Sequence, residues 1–292
     1  MTLDTGIVIR ELTPDDIPAC ADLAASRGWP REERKWRFLL GVARGYGALD
    51  AGGRLVGSVL LTRCTPRVAA IGSLLVAEPL QGRGLGRALM GRALGAAGDL
   101  QVTLASTRQG RPLYDRLGFR EVGRLDMYRG SFGTPARSGR PAHVPVSRPV
   151  TSADLPRIAA FDAQVHGGDR TRLLAAALGF VRAARVLEDG DRVLAVGAVW
   201  DNQGFARVGP LIAVDDAAAL ALLRDLAAEH PGPGRVDLRG DLRNGRSEIP
   251  GWLAGQGFER FAHTTVMVRG DDDGDLPGRP DLLWSPLMQA LT

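Results

Sequence analysis

The chain repeats itself, and the repeat limits the folds open to it. Residues 9–24, IRELTPDDIPACADLA, lie over residues 147–162, SRPVTSADLPRIAAFD, so that Arg10 meets Arg148, Thr13 meets Thr151, Asp16 meets Asp154 and Pro18 meets Pro156. At nearly the same spacing LDAGGRLVG (49–57) meets LEDGDRVLAVG (187–197), Gly118 and Phe119 meet Gly257 and Phe258, and MYRG (127–130) meets MVRG (267–270). Matches that recur in order at a near-constant offset mark a duplicated unit, here of ordinary domain size. The expected division is a first domain at 1–130, a linker at 131–147, a second domain at 148–270 and a tail at 271–292. The linker is dense in Gly, Pro and Ser without apolar periodicity. The tail opens with DDDGDLPGRP and ends in LLWSPLMQAL, an apolar run able to dock.

Within each copy the pattern predicts the same elements. GIVIREL is a short strand. TPDDIPACADLAAS starts a helix with Thr13 as N-cap and Pro14 at the first position. A second helix over REERKWRFLLGVAR precedes two strands joined through DAGGR, a hairpin signal. RVAAIGSLLV is a buried strand, followed by a glycine cluster, a helix to about Ala97, the strand QVTLAS, a short helix RPLYDRL and the strand FREVGRLDMYR. The fold class is α/β of the mixed α+β kind, with a mostly antiparallel sheet in each copy.

Composition removes several classes. The chain is 292 residues long, 45% hydrophobic and 24% charged, the balance of a soluble globular protein. It has no stretch of the roughly 18 apolar residues that a membrane span needs and no signal-peptide pattern at its start, so no membrane partner is expected and a cytoplasmic location is. Cys20 and Cys64 lie apart without CxxC spacing, which points to buried reduced thiols and to no metal site. The formal net charge is +4, and Lys35 is the sole lysine. The arginines are scattered singly among apolar residues rather than gathered in a stripe, so no nucleic-acid partner is expected.

The glycine cluster, QGRGLG at 81–86, sits between an apolar strand and an Arg-rich helix. A Walker A loop needs a lysine that is absent here, and the spacing is GxGxG rather than the GxGxxG of dinucleotide folds. A strand that ends near Val76, a loop whose amides can converge and a helix N-terminus together suit a diphosphate; the alternative is a tight turn with no ligand. QGRGLG resembles the Q/R-x-x-G-x-G/A motif of the GCN5-related N-acetyltransferases (GNAT), matched by Gln81, Gly84 and Gly86, and PLYDRLGFREVG (112–123) resembles the family's second signature. The resemblance covers about residues 7–130 and extends to the second copy through the repeat and through VGPLIAVDDAAALALL, as in tandem bacterial members. It implies two tandem GNAT-fold domains and acetyl-CoA as cosubstrate.

The resemblance also implies site residues. Amides of Leu74, Leu75 and Val76 would hold the pantetheine arm and acetyl oxygen, and Gln81, Gly82, Arg83, Gly84, Leu85, Gly86 and Arg87 the diphosphate. Tyr114 would protonate the leaving thiolate; its alternative is a core aromatic packed on Leu117 and Phe119. Glu78, before Pro79, is a candidate base, with a water relay or a solvated loop acid as alternatives. No Ser/His/Asp or Cys/His set is evident, which favours direct transfer to a primary amine of a small molecule or peptide. Trp29, Glu32 and Glu33, and in the second copy Asp162, His166 and Arg170, are acceptor-side candidates. Aligning IGSLLVAE (71–78) with VGPLIAVD (208–215) places the second loop near 218–223, where the chain reads AALALL. The second copy is therefore expected to have lost its cofactor site. The rival functions are a CoA-binding sensor or partner-binding module without turnover, and a thiol-biosynthesis acetyltransferase resembling mycothiol synthase, in which the C-terminal copy carries the chemistry.

Overall fold

The computed structural model describes residues 6–64, 67–133, 145–240, 247–270 and 276–291. The first copy runs β1 (Val8–Glu11), α1 (Ile17–Ser26), α2 (Glu33–Val42), β2 (Arg44–Leu49), β3 (Leu55–Cys64), β4 (Val68–Val76), α3 (Leu85–Ala97), β5 (Gln101–Ser106), α4 (Arg111–Arg116) and β6 (Arg120–Phe132). The second runs β7 (Arg148–Pro149), α5 (Leu155–His166), α6 (Thr171–Phe180), β8 (Ala183–Asp189), β9 (Arg192–Asn202), β10 (Phe205–Ala213), α7 (Asp216–Glu229), β11 (Gly232–Arg239), α8 (Ile249–Gly255) and β12 (Glu259–Arg269), with β13 (Leu283–Ser285) in the tail.

The repeated residues do the same job twice. Arg10 donates to both carboxylate oxygens of Asp16 at 2.7 Å, and the Thr13 amide donates to Asp16 at 2.8 Å. Arg148 grips Asp154 at 2.8 and 2.7 Å, and the Thr151 amide donates to Asp154 at 2.8 Å. A matched acid thus satisfies an orphan amide where each first helix begins. The entry is tighter than the sequence suggested: Pro14–Asp16 form a 3₁₀ turn, and the α-helix proper starts at Ile17.

Among the described residues the strands form one sheet in the order β1-β2-β3-β4-β5-β12-β6-β11-β10-β9-β8-β7, with β13 added on β10. Only β4–β5 and β10–β11 are parallel pairs. The order holds an exchange that the repeat alone does not reveal. β5 of the first copy pairs with β12 of the second, and β11 of the second pairs with β6 of the first. The buried side chains follow the strands: Met267 of β12 packs in the core of the first copy, and Phe132 of β6 packs in that of the second, 4.7 Å from the Phe258 ring. Each copy is closed by the other's last strand.

Helix placement gives the first copy two distinct faces. Leu85, Leu89, Met90 and Ala93 of α3 bury against Val59, Ala69 and Ile71 on one face of the sheet. On the opposite face Cys20, Ala21 and Leu23 of α1 and Trp36, Phe38 and Leu39 of α2 bury with Leu60 and Leu75, and with Phe180 and Trp200 of the second copy. Phe38 stacks on Phe180 at 4.4 Å. Both cysteines are free and buried, as expected; burial pushes the Cys20 thiol up to about 12. No helix among the described residues is long and apolar enough to cross a membrane, and those residues hold no cluster of metal-ligating side chains.

Candidate active site

The site is a gap between two strands. β4 pairs with β5 only over Val68–Ala70 and Gln101–Thr103, and beyond that point the strands separate. The register between β3 and β4 also slips there, between Ser58 and Leu60, and Ser73 takes φ +50°, a left-handed conformation that costs a non-glycine residue about 1–3 kcal/mol. The Ser73 carbonyl accepts from Ser58 Oγ at 3.0 Å, which holds the bulge. Splaying leaves the edge of residues 74–76 on the β5 side unpaired, while Leu75 and Val76 keep their pairing with β3 on the other. The resulting cleft, about 700 Å³, is lined by Ile71–Val76, by Gln81, Gly82, Gly84, Gly86 and Arg87, by Ala105 and Thr107–Gly110, and by Tyr114.

The glycine cluster forms one end of this cleft. Gly84, at φ +83° and ψ −3°, is the N-cap of α3 and offers no side-chain cap. The first-turn amides of Leu85, Gly86 and Arg87 have no intrahelical acceptor, and the helix dipole adds its positive end. A diphosphate fits such a cradle. Gly86 differs from Gly84: its φ is unremarkable, and a Cβ there would meet only Leu113 at 3.4 Å and Val76 at 3.8 Å in the cleft wall. The side chain of Leu85 is buried under α3, and the Arg83 side chain is exposed. Gln81 ties the loop down, donating to the Val76 carbonyl at 3.3 Å and accepting from Gln109 at 3.2 Å.

Tyr114 enters from the α4 side, edge-on to Phe119 at 5.9 Å, so the packing alternative and the cleft-lining alternative hold together. Burial pushes its phenol up to about 12, which keeps the proton on the oxygen at any ordinary pH. Glu78 does not reach this end. Its side chain is 83% exposed, and its ion pair is with Arg27 at 4.0 Å. The described cleft wall contains no carboxylate; its ionisable side chains are Tyr114 and the arginines Arg27, Arg87, Arg108 and Arg116.

Of the acceptor-side candidates, Trp29 lies in the cleft and the others lie elsewhere. Glu32 accepts from Asn202 of β9 at 2.6 Å, and Glu33 pairs with Arg31 at 2.8 Å. Asp162 is fully buried and is gripped by Arg170 through two bonds of 2.8 Å, with His166 Nδ1 3.3 Å away. Burial alone would raise the Asp162 carboxyl, but Arg170 and His166 outweigh it and hold the group well below the usual carboxylate range. His166 and Arg170 border a small cavity with Cys64, Ala70, Thr103 and Leu291, between the copies and apart from the cleft. The chemistry of Asp162 and Arg170 fits a structural lock, since both charges are spent on each other. Arg27, Ser73, Arg108 and Arg116 were missed by sequence reasoning. The Gly72-Ser73 pair inside an apolar strand was a usable signal for the bulge; single arginines in a chain full of them gave none.

The second copy has the same gap with different contents. β10 leaves β11 after Val208 and Val236, and its freed edge at Leu211 and Ile212 is paired with β13 of the tail. Ser285 Oγ donates to the Val208 carbonyl at 3.1 Å, and Trp284 is fully buried among residues of α7 and α8. The tail then crosses to the first copy, where Ala290 lies against Gly72 so closely that a Cβ would collide with its backbone. Where a second loop was sought, residues 218–223 are buried turns of α7. Asp215 caps that helix, accepting from the Ala218 amide at 2.8 Å. A carboxylate at the N-terminus fills the place of an anion and repels another.

Comparison with known proteins bears on the family and the fold. Residues 11–119 match the model of the acetyltransferase (GNAT) family, and residues 158–279 match an acetyltransferase (GNAT) domain model. An uncharacterized N-acetyltransferase of Bacillus subtilis, YitH, is 24% identical over 242 residues, covering 81% of this chain and 83% of that protein. A putative acetyltransferase from Pyrococcus horikoshii superposes with a TM-score of 0.79 at 21% identity, covering 100% of this chain and 98% of the other. A tandem GNAT protein from the clavulanic acid biosynthesis pathway gives a TM-score of 0.63 at 18% identity, with 91% and 100% covered. The chain belongs to the acetyltransferase (GNAT) family and carries one domain of that family in each half.

Proposed function

We propose that the protein transfers the acetyl group of acetyl-CoA, held in the first copy alone, directly to a primary amine of a small molecule or peptide. The observation that carries this reading is the splayed β4–β5 cleft, with an uncapped glycine N-terminus at one end and a protonated tyrosine in its wall. The amides of residues 82–87 bind the diphosphate, and the free edge of residues 74–76 pairs with the amide groups of the pantetheine arm. Amides of the strand beside the bulge at Ser73 polarise the thioester carbonyl as negative charge develops on its oxygen. The amine attacks, its nitrogen bonds to the carbonyl carbon, the carbon–sulfur bond breaks, and Tyr114 gives its proton to the departing thiolate. The amine's proton leaves through water, because the described cleft wall offers no carboxylate. Products of an amine library incubated with acetyl-CoA, read by mass spectrometry, test this: acetylated amines support it, and none across a broad panel refutes it.

That same lack of a carboxylate favours one other reading, a CoA-binding sensor without turnover. Tight CoA binding with only slow hydrolysis of acetyl-CoA would select it.

A further inference from the structure

We infer that the acceptor amine carries a carboxylate, bound by Arg27 on the α1–α2 face of the cleft, and that polycationic amines are disfavoured. The inference rests on the acetyltransferase reading above and narrows its substrate class.

The cleft draws its lining from elements on both faces of the sheet. The glycine loop, Arg87 of α3, Arg108 before α4 and Arg116 of α4 belong to the side where α3 packs, together with Tyr114. Those three arginines stand where an anionic cosubstrate bearing several phosphate charges needs them. Arg27 and Trp29 come from the connection after α1, which packs on the opposite face. A cosubstrate entering beside α3 leaves that opposite mouth as the approach for the amine.

What lines this second mouth is selective. The Arg27 side chain is only 18% exposed, and its ion partner is Glu78 at the 4.0 Å limit of contact, a carboxylate that is itself 83% exposed. Such a pair contributes little and is readily exchanged for a closer anion. A guanidinium offers two parallel donors matched to a carboxylate. Beside it Trp29, 40% exposed, presents a flat apolar surface for the rest of the acceptor. Four arginines line the described wall, and Glu78 at its edge is the one carboxylate that the structure sets beside them among the described residues, so the balance of charge disfavours a polyamine.

The test compares matched acceptors that differ only in the carboxylate: L-phenylalanine and L-methionine against their carboxamides, a dipeptide acid against its amide, and spermidine as the polycation. Acetyl transfer is read by mass spectrometry, and binding of each acid and amide to the CoA-loaded protein is read by calorimetry. The wild-type protein should prefer acid over amide by about tenfold or more in kcat/KM or in Kd. Arg27→Gln should bring the pair to near parity with CoA affinity unchanged, and Arg27→Lys should recover part of the preference. Equal use of amides or spermidine by the wild-type protein, or an acid preference that survives in Arg27→Gln, overturns the inference. If CoA binds but nothing is acetylated, the function above fails, while the acid-against-amide binding ratio still decides the role of Arg27.

Discussion

Replacing Gly84 with valine separates the backbone contribution of the loop from its packing. Gly84 sits at φ +83° and ψ −3°, where a residue with a side chain loses about 1–2 kcal/mol. A Cβ at this position would meet no protein atom within 4 Å, so no clash adds to the strain and no contact offsets it. If the loop keeps its shape, the folded state loses about 1–2 kcal/mol, and the valine stands where the diphosphate approaches the amides. If the loop relaxes to negative φ, the first-turn amides of α3 turn away. Both routes lower CoA affinity by about tenfold or more, roughly 1.4 kcal/mol. The assay is calorimetric CoA titration beside urea denaturation. Gly91→Ala is the control, since Gly91 lies inside α3 and an added Cβ would meet nothing beyond the helix within 4 Å. It should stabilise the protein by about 0.5–1 kcal/mol and leave CoA binding alone. A folded Gly84→Val protein with wild-type CoA affinity would refute the loop's role.

Tyr114→Phe keeps the ring against Phe119 and removes the proton, so kcat should fall by about 10- to 1000-fold while stability and CoA affinity hold; unchanged turnover returns Tyr114 to a packing role. Asp162→Asn strands the Arg170 guanidinium in the interior and should cost about 3–5 kcal/mol by urea denaturation. Because the folded carboxyl is held below its unfolded value, its contribution is present above the unfolded pKa, about 4, and is lost as pH falls through the folded one. The wild-type advantage over Asp162→Asn should therefore shrink on acidification, and a pH-independent gap would contradict the pairing. Trp284→Ala should cost about 3–5 kcal/mol, since the ring is fully buried in the core of the second copy. It should not create a second CoA site, because Asp215 still caps α7; a rise in CoA stoichiometry would overturn that account.

Much of this was legible in the chain. The repeat singles out Arg10 with Arg148 and Asp16 with Asp154, while their pairing across six residues is visible only in the structure. The glycine loop is local; AALALL, read as its counterpart in the second copy, lies inside α7, and only Val214 and Asp215 connect β10 to that helix. What stayed hidden depends on partners far apart in sequence. The exchange of β6 and β12 leaves no trace in periodicity, since an amphipathic strand reads the same beside either neighbour. The tail reads as an apolar segment able to dock, but its pairing with β10 depends on a gap that only the fold creates. Asp162 and Arg170 look like a functional cluster because charges near a helix junction often are; only their burial and mutual bonds reveal a lock. Arg27 needed the cleft before it could be distinguished from the other arginines.

The central claim is that one half of a duplicated chain holds the cosubstrate, while the other has filled its cleft with its own tail and its helix N-terminus with Asp215. Calorimetric titration of the full chain with CoA tests this most directly. One CoA per chain is predicted, with binding weakened by Gly84→Val and unaffected by Asp215→Asn. Two per chain, or binding that ignores Gly84 and responds to Asp215, would contradict it.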